Sequence, residues 1–458
     1  MKSFIVFLSG FVLFLSQSAL ADFKIPKYEK LTLDNGLTVY LMEQHEVPLI
    51  DVQMVVKAGA SNDGLSYGLA NLTSESLRFG SGDLSKKKLE DLLAFYGANL
   101  NTTSSLESSK ISLSLAAKDS KKLLAIFRDI ILKPKFSEQE YLKEKSRYID
   151  QLKQSREHPR SIIGAVFNKM YYQKHPYGNP VIGDEKSVKN IDLESIRLFY
   201  QEYYVANNSA LILVGDFNTK KMAKRVKKLF SAWNSSTLKS NTIAAVAPPK
   251  HSNVWLINKD DAIETTFMLG GKGIAANHPD QVAVQVINTI LGARFTSWLN
   301  DELRVNSGLT YGARSRFNSH SKAGNFLIST FTKKETTFEA LDLALKTYQR
   351  LWKKGIDKET LESAKAYVKG QFPPRYETSG QLANWLARMW SLNLDDSFIN
   401  NFQTNVDSLD ITKANKIAKA IFPKDNLQFV LIGKTSDIRE GASKYGKVTE
   451  MDIKTFEY

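Results

Sequence analysis

Apolar and polar positions along this chain alternate with two different periods, and they do so in a similar order twice. Leu31, Leu33, Leu37, Val39 and Leu41 bracket Asn35-Gly36, so residues 31–41 predict a β-hairpin turning at Asn-Gly. Residues 50–58 predict a strand with Val52, Met54 and Val56 on one face. Helical spacing follows at about 66–79 and 85–96, a strand at 109–117, and a helix from Ser120 to about Leu132. Ser137-Glu138-Gln139-Glu140 reads as a capping box that opens a long polar helix to about Glu157.

Two later segments repeat this plan. The apolar run after Asn208 ends at Gly215, and the run after Asn426 ends at Gly433, with the same spacing in both. Phe136-Ser137 before one long helix matches Ile356-Asp357 before another, each an apolar residue followed by an N-cap residue. Both similarities in the same order point to duplication. Ser235-Ser236, Ser240 and Pro248-Pro249 mark a linker at 235–252, which leaves one half at 22–234 and a second at 253–458. Gly270-Gly271-Lys272-Gly273 lacks the spacing of a phosphate loop and reads as a strand end. Trp298, Trp385 and Trp390 fall in helical patterns and are expected in the core.

The start of the chain bears on compartment. Lys2, an apolar run over 4–15 and Ala19-Leu20-Ala21 before Asp22 have the form of a secretory signal, residues 1–21, cleaved after Ala21. An N-terminal anchor helix is the alternative. No second apolar run of that kind occurs, so no membrane span is expected in the mature chain. The absence of cysteine excludes disulfides and lipid acylation, leaving stability to a packed core. A bacterial periplasm fits these features.

Composition adds little to that picture and charge adds one question. Hydrophobic residues at 43% and charged residues at 24% describe an ordinary folded protein. The net charge of +14 would suit nucleic acid if it were concentrated, but the basic residues are scattered. The densest run, Lys86-Lys87-Lys88, opens an amphipathic helix and reads as a solvated face. Nucleic acid is therefore not expected, and complementarity to a more acidic partner subunit stays open.

The candidate chemistry lies in residues 67–82, Tyr-Gly-Leu-Ala-Asn-Leu-Thr-Ser-Glu-Ser-Leu-Arg-Phe-Gly-Ser-Gly. This segment resembles the helix that carries His-x-x-Glu-His in pitrilysin/insulinase-type (inverzincin) metallopeptidases. Two imidazoles one turn apart hold zinc there, with a carboxylate between them as general base. Here those places hold Asn71, Ser74 and Glu75. The six histidines, His45, His158, His175, His251, His278 and His320, offer no pair at ligand spacing. Further landmarks extend the resemblance over nearly the whole mature chain: Asp34-Asn35-Gly36-Leu37, Gly68-Leu69-Ala70, Tyr96-Gly97-Ala98, His175-Pro176-Tyr177-Gly178 and residues 208–216.

The resemblance carries expectations of fold, site and partner. It implies an α+β protein of two homologous pitrilysin-like halves, each a mostly antiparallel sheet packed with helices, facing each other as a clam shell. A third zinc ligand, a Glu on the long helix, falls at or near Gln151, an amide, on the same helix face as Glu144. Residues 303–312 resemble the family's Leu-Arg-Glu-Lys-x-Gly-Leu-x-Tyr segment, with Val305-Asn306 in place of Glu-Lys and the spacing of Arg304 and Tyr311 intact. In the family this Arg and Tyr reach the substrate at the zinc site. The type implied is the zinc-site-deficient subunit of a two-subunit endopeptidase, inactive alone and binding no metal itself. Its expected partners are a homologous zinc-bearing subunit and peptide substrates. Two other readings are a non-catalytic peptide-binding scaffold and an active metalloenzyme using Glu75 with unusual ligands.

Overall fold

The computed structural model describes residues 23–238 and 243–457. The proposed signal, residues 1–21, lies outside the described residues, as do 239–242 of the linker. No helix among the described residues is long and apolar enough to cross a membrane.

Twelve strands form two six-stranded sheets. In the first half they are β1 (Glu29–Thr32), β2 (Thr38–Glu43), β3 (Leu49–Val56), β4 (Asn99–Ser104), β5 (Ser109–Ala116) and β6 (Ser209–Gly215). In the second they are β7 (Asn253–Asn258), β8 (Glu264–Lys272), β9 (Arg314–Ser319), β10 (Gly324–Lys333), β11 (Gln428–Gly433) and β12 (Lys447–Asp452). The orders are β1-β2-β6-β3-β5-β4 and β12-β7-β11-β8-β10-β9. Five positions correspond: β2 and β6 pair parallel as β7 and β11 do, and the remaining neighbours pair antiparallel. The sixth differs, since β1 runs antiparallel to β2 whereas the late strand β12 runs parallel to β7. The repeated Asn-to-Gly segments are thus the same interior strand in each sheet.

Both of those strands are buried at every position, which is why they read as unbroken apolar runs. The reason is an exchange of helices. Alternate residues Val39, Leu41, Val52, Leu211 and Leu213 pack on helices of the first half, including α1 (Leu69–Ser76), α2 (Lys86–Phe95) and α3 (Ser120–Leu132). Their neighbours Tyr40, Met42, Val55, Ile212 and Val214 instead face the second half. Following α4 (Glu138–Arg156), α5 (Pro159–Tyr172) crosses to the second sheet, where Ile163, Val166 and Phe167 share a core with Ile257, Met268, Leu327 and Val430. In return α8 (Ser379–Ser391), preceded by α6 (Gln281–Asn288) and α7 (Lys358–Gly370), lies on β3 and β6 of the first.

Several local expectations are met and several are amended. Asn35 ties the predicted hairpin to the 219–230 helix by donating to Phe230 O and Trp233 O, and Gly36 takes φ 84°. Ser137 accepts from Glu140 N, but Glu140 does not complete the box; its carboxylate faces Lys86 Nζ at 3.6 Å. Lys86 also meets Glu144 at 2.9 Å, so the first lysine of the basic run is an ion-pair centre and not a solvated one. Asp357 caps α7 by accepting from Thr360 N at 2.8 Å. The edge strand β4, Asn-Leu-Asn-Thr-Thr-Ser, lacks an apolar alternation and is found only in the structure. Trp298 and Trp385 are core residues, while Trp390 is half-buried under Lys57 Nζ at 4.6 Å from its ring. Of the 235–252 stretch, Ile243 and Val246 pack against the α5 core.

Candidate functional site

Helix α1 begins in a close-packed corner. Gly68 at φ 93° stands back to back with Gly183, and a Cβ on Gly68 would lie 3.0 Å from Gly183 Cα. The free N–H groups at this helix start are taken by Asp63, which accepts from Gly68 N and Ala70 N at 2.8 Å each. Burial pushes the Asp63 carboxyl up to about 7 against those hydrogen bonds. A carboxyl raised in this way keeps its proton in the folded state where the unfolded chain has released it. The contribution of Asp63 to stability is therefore full at low pH and is lost as pH rises toward 7. Between about pH 5 and pH 7 the native protein is expected to lose about 2 kcal/mol relative to Asp63→Asn. Urea unfolding of both proteins across that range checks it; parallel slopes would reject the assignment.

The motif positions face a different neighbour from the one expected. Asn71 donates its amide to Tyr148 Oη at 2.9 Å, and Tyr148 donates onward to Ile182 O at 2.9 Å. Ser74 is fully buried. Glu75 accepts from Thr102 Oγ1 at 3.0 Å and meets Arg78 at 3.4 Å. Gln151 is exposed on α4 and makes no side-chain hydrogen bond to Asn71, Ser74 or Glu75, and Glu144 is spent on Lys86 and Arg147. The α4 side chain that reaches α1 is Tyr148, three residues before Gln151. Sequence reasoning missed it because a Tyr on a polar helix carries no signal until its neighbour is known.

This donor set does not fit a zinc ion. An amide already donating to a phenol, a buried hydroxyl and one engaged carboxylate supply no imidazole or thiolate and no second anion. Among the described residues no group of three His, Cys, Asp or Glu side chains could hold a metal.

The second-half pair is placed differently. Trp298–Asn300 continues as a π-helical turn, Asp301–Asn306, an unusual geometry often found where function needs a side chain re-aimed. Arg304 lies in that turn with its guanidinium 4.5 Å above the Phe295 ring. Leu303 O accepts from both Leu309 N and Thr310 N, which closes the loop leading to Tyr311. The Tyr311 ring stacks on Phe331 at 6.3 Å, and Arg160 of α5 lies 3.3 Å over the other partner of that stack while pairing with Glu264 at 2.7 Å. A first-half helix thus supports the second-half tyrosine. Tyr311 is 82% exposed, Val305 66% and Phe295 63%. Neither the Arg304 guanidinium nor the Tyr311 hydroxyl makes a hydrogen bond to the described residues.

Comparison with known proteins decides the family. Residues 38–185 match "Insulinase (Peptidase family M16)", and residues 190–368 match "Peptidase M16 inactive domain". The chain belongs to peptidase family M16. It is 25% identical over 420 residues to the zinc protease PqqE of Helicobacter pylori, covering 89% of this chain and 93% of that protein. It is also 22% identical over 435 residues to the non-peptidase homolog YmxG of the same organism, covering 94% and 98%. A solved peptidase M16 inactive domain from Pseudomonas fluorescens superposes with a TM-score of 0.84 at 25% identity, over 89% of this chain and 98% of that one. In this M16 chain the motif helix carries Asn71, Ser74 and Glu75.

Proposed function

We propose that this chain is the accessory, zinc-site-deficient subunit of a periplasmic zinc endopeptidase. It would supply Arg304 and Tyr311 to peptide substrates held at the zinc site of a homologous partner subunit. The observation that carries the reading is that both side chains present polar ends with no hydrogen bond to the rest of the described chain. Arg offers a rigid fork of donors to a peptide carbonyl and Tyr a single O–H. Both would stabilise the oxyanion that develops when water adds to that carbonyl. The exposed apolar rim of Phe295 and Val305 supports burial against another chain. Helicobacter pylori holds both a zinc protease and a non-peptidase homologue similar to this chain, which supports a division of labour between two M16 chains. The periplasmic assignment rests on the residue 1–21 signal.

The test is peptidase activity on a fluorogenic peptide pool, with the mature chain alone and mixed with the zinc-bearing homologue of the same genome. Activity is expected only in the mixture. Arg304→Ala is expected to lower kcat about 100-fold with the complex still formed, and Tyr311→Phe to lower it less. Chelator-sensitive activity of this chain alone would overturn the proposal. A stable complex without activity would make the chain a peptide-binding scaffold instead.

A further inference from the structure

Two chambers with shared lining residues flank the contact between two hairpin tips. At the tip joining β4 to β5, Glu107 accepts from Tyr177 Oη at 2.6 Å, from Ser321 N at 2.9 Å and from the Ser321 hydroxyl of the β9–β10 tip. One chamber of about 540 Å³ lies between the first tip, β9 and α8, and carries Lys110, His320 and Arg388 on its wall. The other, about 530 Å³, lies between α4, α5 and β9, with Arg156, Asp184, Glu185 and Arg316. Ser105, Leu106, Asn318 and His320 line both.

The anions of these walls are all occupied, as is Arg156, whereas two arginines are not. Glu107 is held by the three donors above, Glu185 faces Arg156 at 3.6 Å, and Asp184 accepts from Ser187 N. The guanidinium groups of Arg388 and Arg316 make no hydrogen bond or ion pair with the described residues. Lys110 donates to the neutral amide oxygen of Asn384 at 2.6 Å, and nearby Lys57 to that of Asn393 at 2.7 Å. Burial lowers the pKa of all four cations, and both guanidinium groups stay protonated at any physiological pH. Glu107 is the carboxylate that acts on Arg388, and it is already shared among three donors, so both guanidinium forks keep their donors free toward the chamber space. Such an arrangement is what a site for an anion requires.

We propose that these chambers bind an extended acidic peptide, its carboxylates taken by Arg388 and Arg316. A planar guanidinium matches a carboxylate with two parallel hydrogen bonds. Each chamber is of the size that encloses a ligand of several residues, which a small inorganic anion would leave mostly empty. Leu106, Ile162 and Val181 give the second chamber an apolar wall for aliphatic side chains beside the acids. This binding belongs to the single chain and stands whether or not a zinc-bearing partner exists.

The experiment uses the mature chain alone and fluorescein-labelled short peptides alternating Glu with Val, compared with Gln-Val and Lys-Val versions. Fluorescence anisotropy is expected to show the Glu peptide binding at least about tenfold more tightly than the Gln peptide. Added salt should weaken that preference. Arg388→Gln and Arg316→Gln are each expected to weaken Glu-peptide binding about tenfold without lowering the thermal midpoint, because each removes an unpaired cation. Equal binding of the Glu and Gln peptides would overturn the proposal. So would full binding by both variants. Loss of binding together with a lower midpoint would assign the arginines a structural role and overturn it as well.

Discussion

Phe167→Ala is expected to cost about 3–5 kcal/mol of unfolding free energy, and the damage should appear in the half that does not contain it. Phe167 is fully buried and belongs by sequence to the first half, yet it packs with Met268, Leu327, Val430 and Ile432 of the second sheet. Its ring also stacks on Tyr171 at 6.0 Å, so truncation opens a cavity between a helix and a sheet that are joined nowhere else nearby in sequence. The control is Phe127→Ala, equally buried but within the first-half core. Hydrogen exchange should show faster opening of β8 and β11 in Phe167→Ala and not in Phe127→Ala. Loss of protection confined to the first half would refute the helix exchange as a source of stability.

Rebuilding the metal motif, Asn71→His with Ser74→Glu and Glu75→His, is expected to yield an unstable protein without stoichiometric zinc. The reason is local packing. Ser74 is fully buried, so a glutamate there must desolvate its carboxylate without a prepared partner, a cost on the order of 3 kcal/mol or more. The third ligand is missing too, because α4 presents Tyr148 to α1 and carries the neutral amide Gln151 where the family has a carboxylate. Glu75→His also removes the acceptor of Thr102 and the partner of Arg78. Metal analysis and urea unfolding of the triple variant check this. Tight, stoichiometric zinc in a protein of native stability would show that the site is merely unligated and not rebuilt.

What was legible in the sequence depended on the range of the interaction. The Asn35-Gly36 hairpin, the Ser137 and Asp357 caps and the Asn-to-Gly strand repeat are all local patterns, and each is present. The capping box at Ser137 was half right because Glu140 found a stronger partner in Lys86, remote in sequence. The edge strand β4 was invisible because an edge needs backbone pairing with β5 and little apolar burial. At the site, Asn71, Ser74 and Glu75 could be located from the motif frame, since one helical turn keeps its register. Tyr148 could not, because its contact depended on the rotation of α4 against α1, which no local pattern reports.

The residue types alone therefore determined the absence of a His-x-x-Glu-His helix, the duplicated α+β plan and the presence of Arg304 and Tyr311 at family spacing. The tertiary structure decided the rest: that Tyr148 lies beside Asn71, that α5 and α8 cross between halves, and that the Arg388 and Arg316 side chains line two chambers without an ion-pair partner. Spacing along one chain sets which side chains share a helix or strand face. Which distant faces meet is set by the burial of apolar surface over the whole molecule, and the electrostatics of each meeting place follow from that.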